Sequence, residues 1–153
     1  ILSLEIQRMP KNPQHEFGHL WEYPLRSVCT ISTHDMATLR GWWEEDKEVT
    51  TNYYNHVLGH WGEVPPTAPG NICEEIIRQH LQCPSLLCIL SFQDWLSMDE
   101  ELRYPDAQAE RINVPANPRH YWRYRMHLTI EDLMKKAKFN DKLREMIDET
   151  NRY

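Results

Sequence analysis

Apolar residues along this chain fall into short unbroken runs separated by amphipathic stretches and proline-bounded loops. Three runs read as strands. They are residues 1–6, then Ser27-Val28-Cys29-Thr30-Ile31-Ser32, then Leu86-Leu87-Cys88-Ile89-Leu90-Ser91. Short continuous runs of this kind fit strands buried on both faces of a parallel sheet. Helical patterns lie between the second and third runs. One begins near Met36, with Leu39, Trp42 and Trp43 on one side, and another covers residues 47–59. A third carries the stripe Ile72, Ile76, Ile77, Leu81; Asn71 and Glu74 are spaced as its cap and acid, and Pro84 stops it. Beyond the last strand, Thr129 to Asp132 reads as a capped helix start running to about Ala137. Asn140 opens a final helix with Leu143, Met146 and Ile147. Residues 8–24, 62–70 and 95–119 read as loops.

Strands separated by helical crossovers predict a parallel α/β sheet. Right-handed crossovers place the ends of all three strands on one edge. In a closed (β/α) barrel that edge carries the active site. The second strand runs into Thr33-His34-Asp35 and the third into Gln93-Asp94. The long loops 8–24 and 95–119 leave from the same edge, and loops of such length are usually functional. Three strands cannot close a barrel of about eight. They leave open edges and an uncovered core face, which predicts partner strands preceding residue 1. The chain also opens inside an apolar run without Met or a polar lead-in, as expected of a piece of a longer chain. The whole 1–153 stretch is read as one such piece.

Asp35 is the first candidate for chemistry. A carboxylate at a strand exit suits binding of hydroxyls and stabilisation of positive charge. The same position suits a cap for the following helix, and local pattern leaves the two readings open. Gln93 and Asp94 repeat the arrangement, with capping the favoured role for Asp94. Asn113, Pro115, Asn117, Trp122 and Arg125 form a dense loop constellation. Trp42 and Trp43 read as core.

Composition narrows the partners. The formal net charge is −6, which argues against nucleic acid and anionic membranes. No apolar stretch approaches the ~18 residues of a membrane span, and no signal peptide is visible. Cys29, Cys73, Cys83 and Cys88 form no CxxC or zinc pattern; free buried thiols in a reducing cytoplasm are expected. His56 and His60 are four apart but lack a metalloprotease glutamate, since Val57 follows His56. His15 and His19 share the spacing in a loop, and both pairs read as ordinary histidines.

The segment Ser32-Thr33-His34-Asp35-Met36-Ala37-Thr38-Leu39-Arg40-Gly41-Trp42-Trp43 resembles the Thr-His-Asp segment of amylomaltases and disproportionating enzymes, the 4-α-glucanotransferases. Ile6-Gln7-Arg8-Met9-Pro10 and Tyr23-Pro24 upstream resemble the branch with Trp-Trp after the glycine. Gln93-Asp94, Glu110-Arg111-Ile112-Asn113-Val114-Pro115 and Tyr121-Trp122-Arg123-Tyr124-Arg125 follow in the family's order. The resemblance spans nearly the whole chain. Met36 and Ala116 stand where the family usually has Asn and Gly.

The resemblance implies the C-terminal portion, about strands 6–8 and their helices, of a TIM (β/α)8 barrel. It implies retaining transfer of α-1,4-glucan segments between malto-oligosaccharides, with no organic cofactor or catalytic metal. Asp35 matches the family's aspartate that holds hydroxyls of the distorted sugar. His34, Gln93, Asp94 and Asn113 are carried as substrate-binding candidates. The family's nucleophile and acid/base segments, Arg-x-Asp-His-Phe and Ala-Glu-Asp-Leu-Gly, do not occur here, so the piece alone is expected to be inactive. An α-glucan hydrolase of the same clan and a non-catalytic carbohydrate-binding module are the rival readings.

Overall fold

The computed structural model describes residues 1–152. Three parallel strands, β1 (Ser3–Ile6), β2 (Ser27–Thr30) and β3 (Leu87–Cys88), lie in the order β1-β2-β3. Leu4 pairs with Val28 and Val28 with Leu87; Glu5 pairs with Cys29 and Cys29 with Cys88. Parallel pairing makes all three strands exit at one edge, as expected from the crossovers.

Side chains alternate across a sheet, so the two faces differ. Glu5, Cys29 and Cys88 share the face that this chain covers. Cys29 packs with Leu20, Tyr23 and Cys83, and Cys88 packs against the main core. The opposite face carries Leu4, Val28 and Leu87. Leu4 is 49% exposed, Leu87 42%, and Ile89 just beyond β3 59%. The third strand was expected to be buried; it is two residues long and its apolar side chains face outward. The cause is local to the sheet, because nothing in the described residues covers that face.

The main core is built on α3 (Gly70–Gln82). Ile72, Cys73, Ile76, Ile77 and Leu81 are buried at helical spacing, each large one contributing about 1.5–3 kcal/mol. Ile31, Leu39, Trp43, Tyr53 and Leu96 join them, with Phe139 and Met146 from α6 (Ala137–Glu149). Trp43 is buried, and its indole N–H donates to the Pro65 carbonyl at 2.9 Å. Trp42 packs edge-on against Phe17 and Tyr53.

Short helices obey their local caps. Thr38 caps α1 (Leu39–Trp43), Asp46 caps α2 (Lys47–Asn52), Ser91 caps α4 (Phe92–Leu96) and Thr129 caps α5 (Ile130–Met134). Three expectations are corrected. The 47–59 helix is α-helical only to Asn52 and widens into a π turn over Tyr53–Val57. Gly59, at φ +73°, ends it. Asn71 lies inside α3 and does not cap it; the Gly70 N–H donates instead to Glu100 Oε1 at 2.8 Å, a cap from a distant loop. Asn140 lies inside α6, where Nδ2 donates to the Leu133 carbonyl at 2.8 Å and satisfies the end of α5.

Two predictions follow from α3. A Cβ at Gly70 would sit 2.7 Å from the Met98 carbonyl oxygen, a backbone atom that cannot rotate away. Gly70→Ala should therefore lower stability by about 1–3 kcal/mol in urea unfolding, although alanine is the better helix former. His80 is buried with Nδ1 2.8 Å from the Ile76 carbonyl oxygen. Burial pushes its imidazole down from 6.5 to about 4. The unfolded chain takes up the proton at the higher pH, so stability is lost as pH falls from about 6.5 to about 4, by up to about 3 kcal/mol. His80→Gln should flatten that part of the stability–pH curve relative to wild type.

Candidate functional site

The strand-exit edge is organised by carboxylates with opposite surroundings. Asp94, in the first turn of α4, has no exposed surface. Its Oδ2 accepts from the hydroxyls of Ser32 and Ser91, and its Oδ1 accepts from the Leu39 N–H at 2.8 Å. Ser32 follows β2, Leu39 opens α1 and Ser91 follows β3. One side chain thus ties both strand exits to the start of α1. The local cap role favoured for Asp94 is corrected, since it lies inside α4, whose cap is Ser91; its carboxylate instead satisfies the first N–H of α1. Its candidacy as a substrate ligand is corrected, because burial and protein donors leave no oxygen facing solvent.

Asp35 has the reverse environment. Its side chain is 54% exposed, like that of His34. Asn113 Nδ2 donates to Asp35 Oδ1 at 2.7 Å, and His34 Nε2 lies 3.2 Å from Asp35 Oδ2. The Asp35 N–H donates to Thr33 Oγ1 at 3.3 Å. The capping alternative for Asp35 falls away, since the α1 cap is Thr38. The His34 ring is 5.2 Å from the Trp122 ring. Asp35, His34, Asn113 and Trp122 therefore gather at one place from segments far apart in sequence. The Asn117 side chain accepts from the Arg119 N–H within its own turn, and Arg125 donates to the adjacent Tyr124 carbonyl.

Beside this group opens a cleft of about 300 Å³ whose lining includes Leu4, Val28, Thr30, His34, Gln93 and Ile112. Leu4 and Val28 belong to the open sheet face, so the cleft is continuous with it. Gln93 is buried at its wall, and its Nε2 is 3.4 Å from the Glu110 carbonyl.

Four supporting charges were not singled out from the sequence. Arg8 Nη2 donates to the carbonyls of Ile31 and Ala37 at 2.9 and 3.0 Å, on either side of Thr33-His34-Asp35. Its guanidinium lies 5.0 Å from the Trp42 ring centre. Burial pushes Arg8 down from its ordinary value, against the pull of Asp94. Arg40 Nη1 and Glu110 Oε1 form a buried ion pair at 2.5 Å, and Thr38 Oγ1 donates to Glu110 Oε2 at 2.9 Å. Burial raises the Glu110 carboxyl above its ordinary value, outweighing the Arg40 charge beside it. Arg111 Nε donates to the Asn113 carbonyl at 3.0 Å, which orients the residue that grips Asp35. All four sit inside segments that carried the resemblance, yet a lone charge has no periodicity to reveal its partner.

Fold and site define a parallel α/β protein whose polar groups converge outside the carboxyl ends of its strands. The chain belongs to the 4-alpha-glucanotransferase family, glycoside hydrolase family 77, whose profile matches residues 1–129. It is 36% identical to 4-alpha-glucanotransferase DPE2 of Oryza sativa subsp. japonica over 152 residues, which cover 99% of this chain and 16% of that protein. It is 30% identical to the 4-alpha-glucanotransferase of Chlamydia trachomatis over 125 residues, 80% of this chain and 23% of that one. The fold resembles amylomaltase from Streptococcus agalactiae, solved in complex with acarbose, with a TM-score of 0.61 at 23% identity. That match covers 85% of this chain and 23% of the amylomaltase. The chain thus spans less than a quarter of the length of these relatives.

The two aspartates should separate in mutagenesis. Asp94→Ala strands the buried Ser32 hydroxyl and Leu39 N–H, each left unsatisfied at about 1–3 kcal/mol, and the half-buried Ser91 hydroxyl. Its urea midpoint should fall steeply or the chain should not fold. Asp35→Ala removes an exposed carboxylate and should shift stability by no more than about 0.5 kcal/mol. A large stability loss in Asp35→Ala would make that residue structural.

Proposed function

We propose that this chain forms one wall of the glucan site of a 4-α-glucanotransferase, as the region around strands 6–8 of a (β/α)8 barrel. The remaining strands, from the same protein, would cover Leu4, Leu87 and Ile89 and supply the nucleophile and the acid/base. The whole protein would transfer α-1,4-glucan segments between malto-oligosaccharides with retention. Its location would be the cytoplasm, consistent with four free thiols and with no helix among the described residues long and apolar enough to cross a membrane.

The observation that carries this reading is the held but exposed Asp35 carboxylate. Asn113 fixes one oxygen and His34 stands beside the other, so its orientation is set before any ligand arrives. Unused lone pairs on both oxygens can accept from neighbouring sugar hydroxyls. Bonds of this kind that tighten as the ring distorts favour the oxocarbenium-like transition state. His34 can donate to a further hydroxyl. Trp122, 59% exposed, offers an apolar face for a pyranose ring, and Gln93 would act from the cleft wall. No step requires a metal or an organic cofactor.

The test uses the intact protein with maltotriose. Longer malto-oligosaccharides together with glucose are expected, whereas glucose and maltose alone would indicate hydrolysis. Asp35→Asn should lower kcat by about 10²–10³-fold, the size of one lost transition-state contact, with folding unchanged. Full activity in Asp35→Asn would sink the assignment. The 153-residue chain alone should release no glucose. Retention of amylose by this chain that depends on Trp122 but not on Asp35 would favour a binding module instead.

A further inference from the structure

The loop between β1 and β2 holds a cluster that the strand-exit site does not use. Ligand atoms of His15, His19 and Glu22 all lie within 4.8 Å of one another. The two imidazoles are stacked, with centres 4.5 Å apart and planes 10° from parallel. His19 Nδ1 is 3.3 Å from Glu22 Oε1. The spacing is set by backbone turns: the His15 N–H donates to the Asn12 carbonyl at 3.1 Å, and the Glu22 N–H donates to the His19 carbonyl at 3.0 Å. Leu20, between them, is buried against Tyr23, Cys29 and Cys83, which anchors this part of the loop to the sheet.

Two imidazole nitrogens and one carboxylate oxygen make a borderline donor set. Magnesium and calcium prefer all-oxygen shells, and soft cuprous ion prefers sulfur. Zinc takes this set in tetrahedral geometry at about 2.0–2.2 Å and leaves one position for water. Water has access, because His15 and His19 border a cavity of about 410 Å³ shared with Trp21, His56 and Gln79. His56 lies outside the 4.8 Å group, so three protein ligands are the full set. His19 and Glu22 are more than half exposed, so their side chains have room to rotate toward a shared ion.

We propose that His15, His19 and Glu22 bind one zinc ion, which clamps the β1–β2 loop. The four-residue spacing of the histidines read as ordinary in the sequence. Glu22, brought round by the turn at Leu20–Glu22, supplies the third ligand and the negative charge. The site shares no residue with Asp35, His34 or Asn113, so its test is independent of the glucan reading.

Isothermal titration of the full chain with zinc chloride should show saturable uptake of one ion. His19→Ala and Glu22→Gln, both at exposed positions, should each weaken binding by about tenfold or more, as even outer-shell losses cost about 10- to 100-fold. The cobalt-substituted chain should give visible d–d bands of a four-coordinate ion without a thiolate charge-transfer band. Absence of saturable binding, equal affinity in both variants, or a thiolate band assigning the metal to the cysteines would each overturn the proposal.

Discussion

The buried carboxylate of Asp94 is the constraint on which this edge of the molecule depends. A carboxylate without solvent is tolerable only when its oxygens are matched by donors, and here the donors come from three separate segments. Satisfying one group therefore fixes the relative positions of the β2 exit, the β3 exit and the start of α1. Arg8 adds a second tie, since its guanidinium spans the carbonyls that bracket Thr33-His34-Asp35. The turn presenting Asp35 is thus held from beneath by the fully buried Asp94 and the half-buried Arg8.

This division of labour explains why similar residue types behave differently at one sheet edge. Asp94 and Glu110 are spent on internal donors and on the Arg40 charge. Asp35 receives one strong donor and keeps the rest of its accepting capacity outward. In the proposed function, preorganisation of that kind would suit a transition-state ligand, because no reorganisation is then needed during reaction. Arg111 contributes at one remove, by orienting Asn113.

The sheet itself is incomplete as a buried structure. Parallel sheets are normally covered on both faces, yet Leu4, Leu87 and Ile89 present an apolar surface next to the cleft. The helices and the β1–β2 loop protect only the other side. This asymmetry agrees with a chain that spans about a quarter or less of its relatives' length. On the proposed function, the cleft is one wall of a larger glucan site.

Much of this was written in local pattern. The three strands, their parallel direction, α3 with its apolar stripe, the Thr129 cap and the gathering of the strand exits at one edge follow from periodicity, turn residues and crossover rules, all of which act over a few neighbouring residues. The family resemblance lay in contiguous motifs of the same kind. What needed the tertiary structure was every partnership between distant segments. The sequence alone could not tell that Asp94 would be buried and Asp35 exposed, since both simply follow an apolar strand run. It could not show Glu100 capping α3, Arg8 gripping two carbonyls, Arg40 meeting Glu110, or Glu22 turning toward two histidines. Hydrogen bonds and ion pairs are set by distance in space, and hydrophobic period carries no record of which charge will face which donor once the chain has closed on itself.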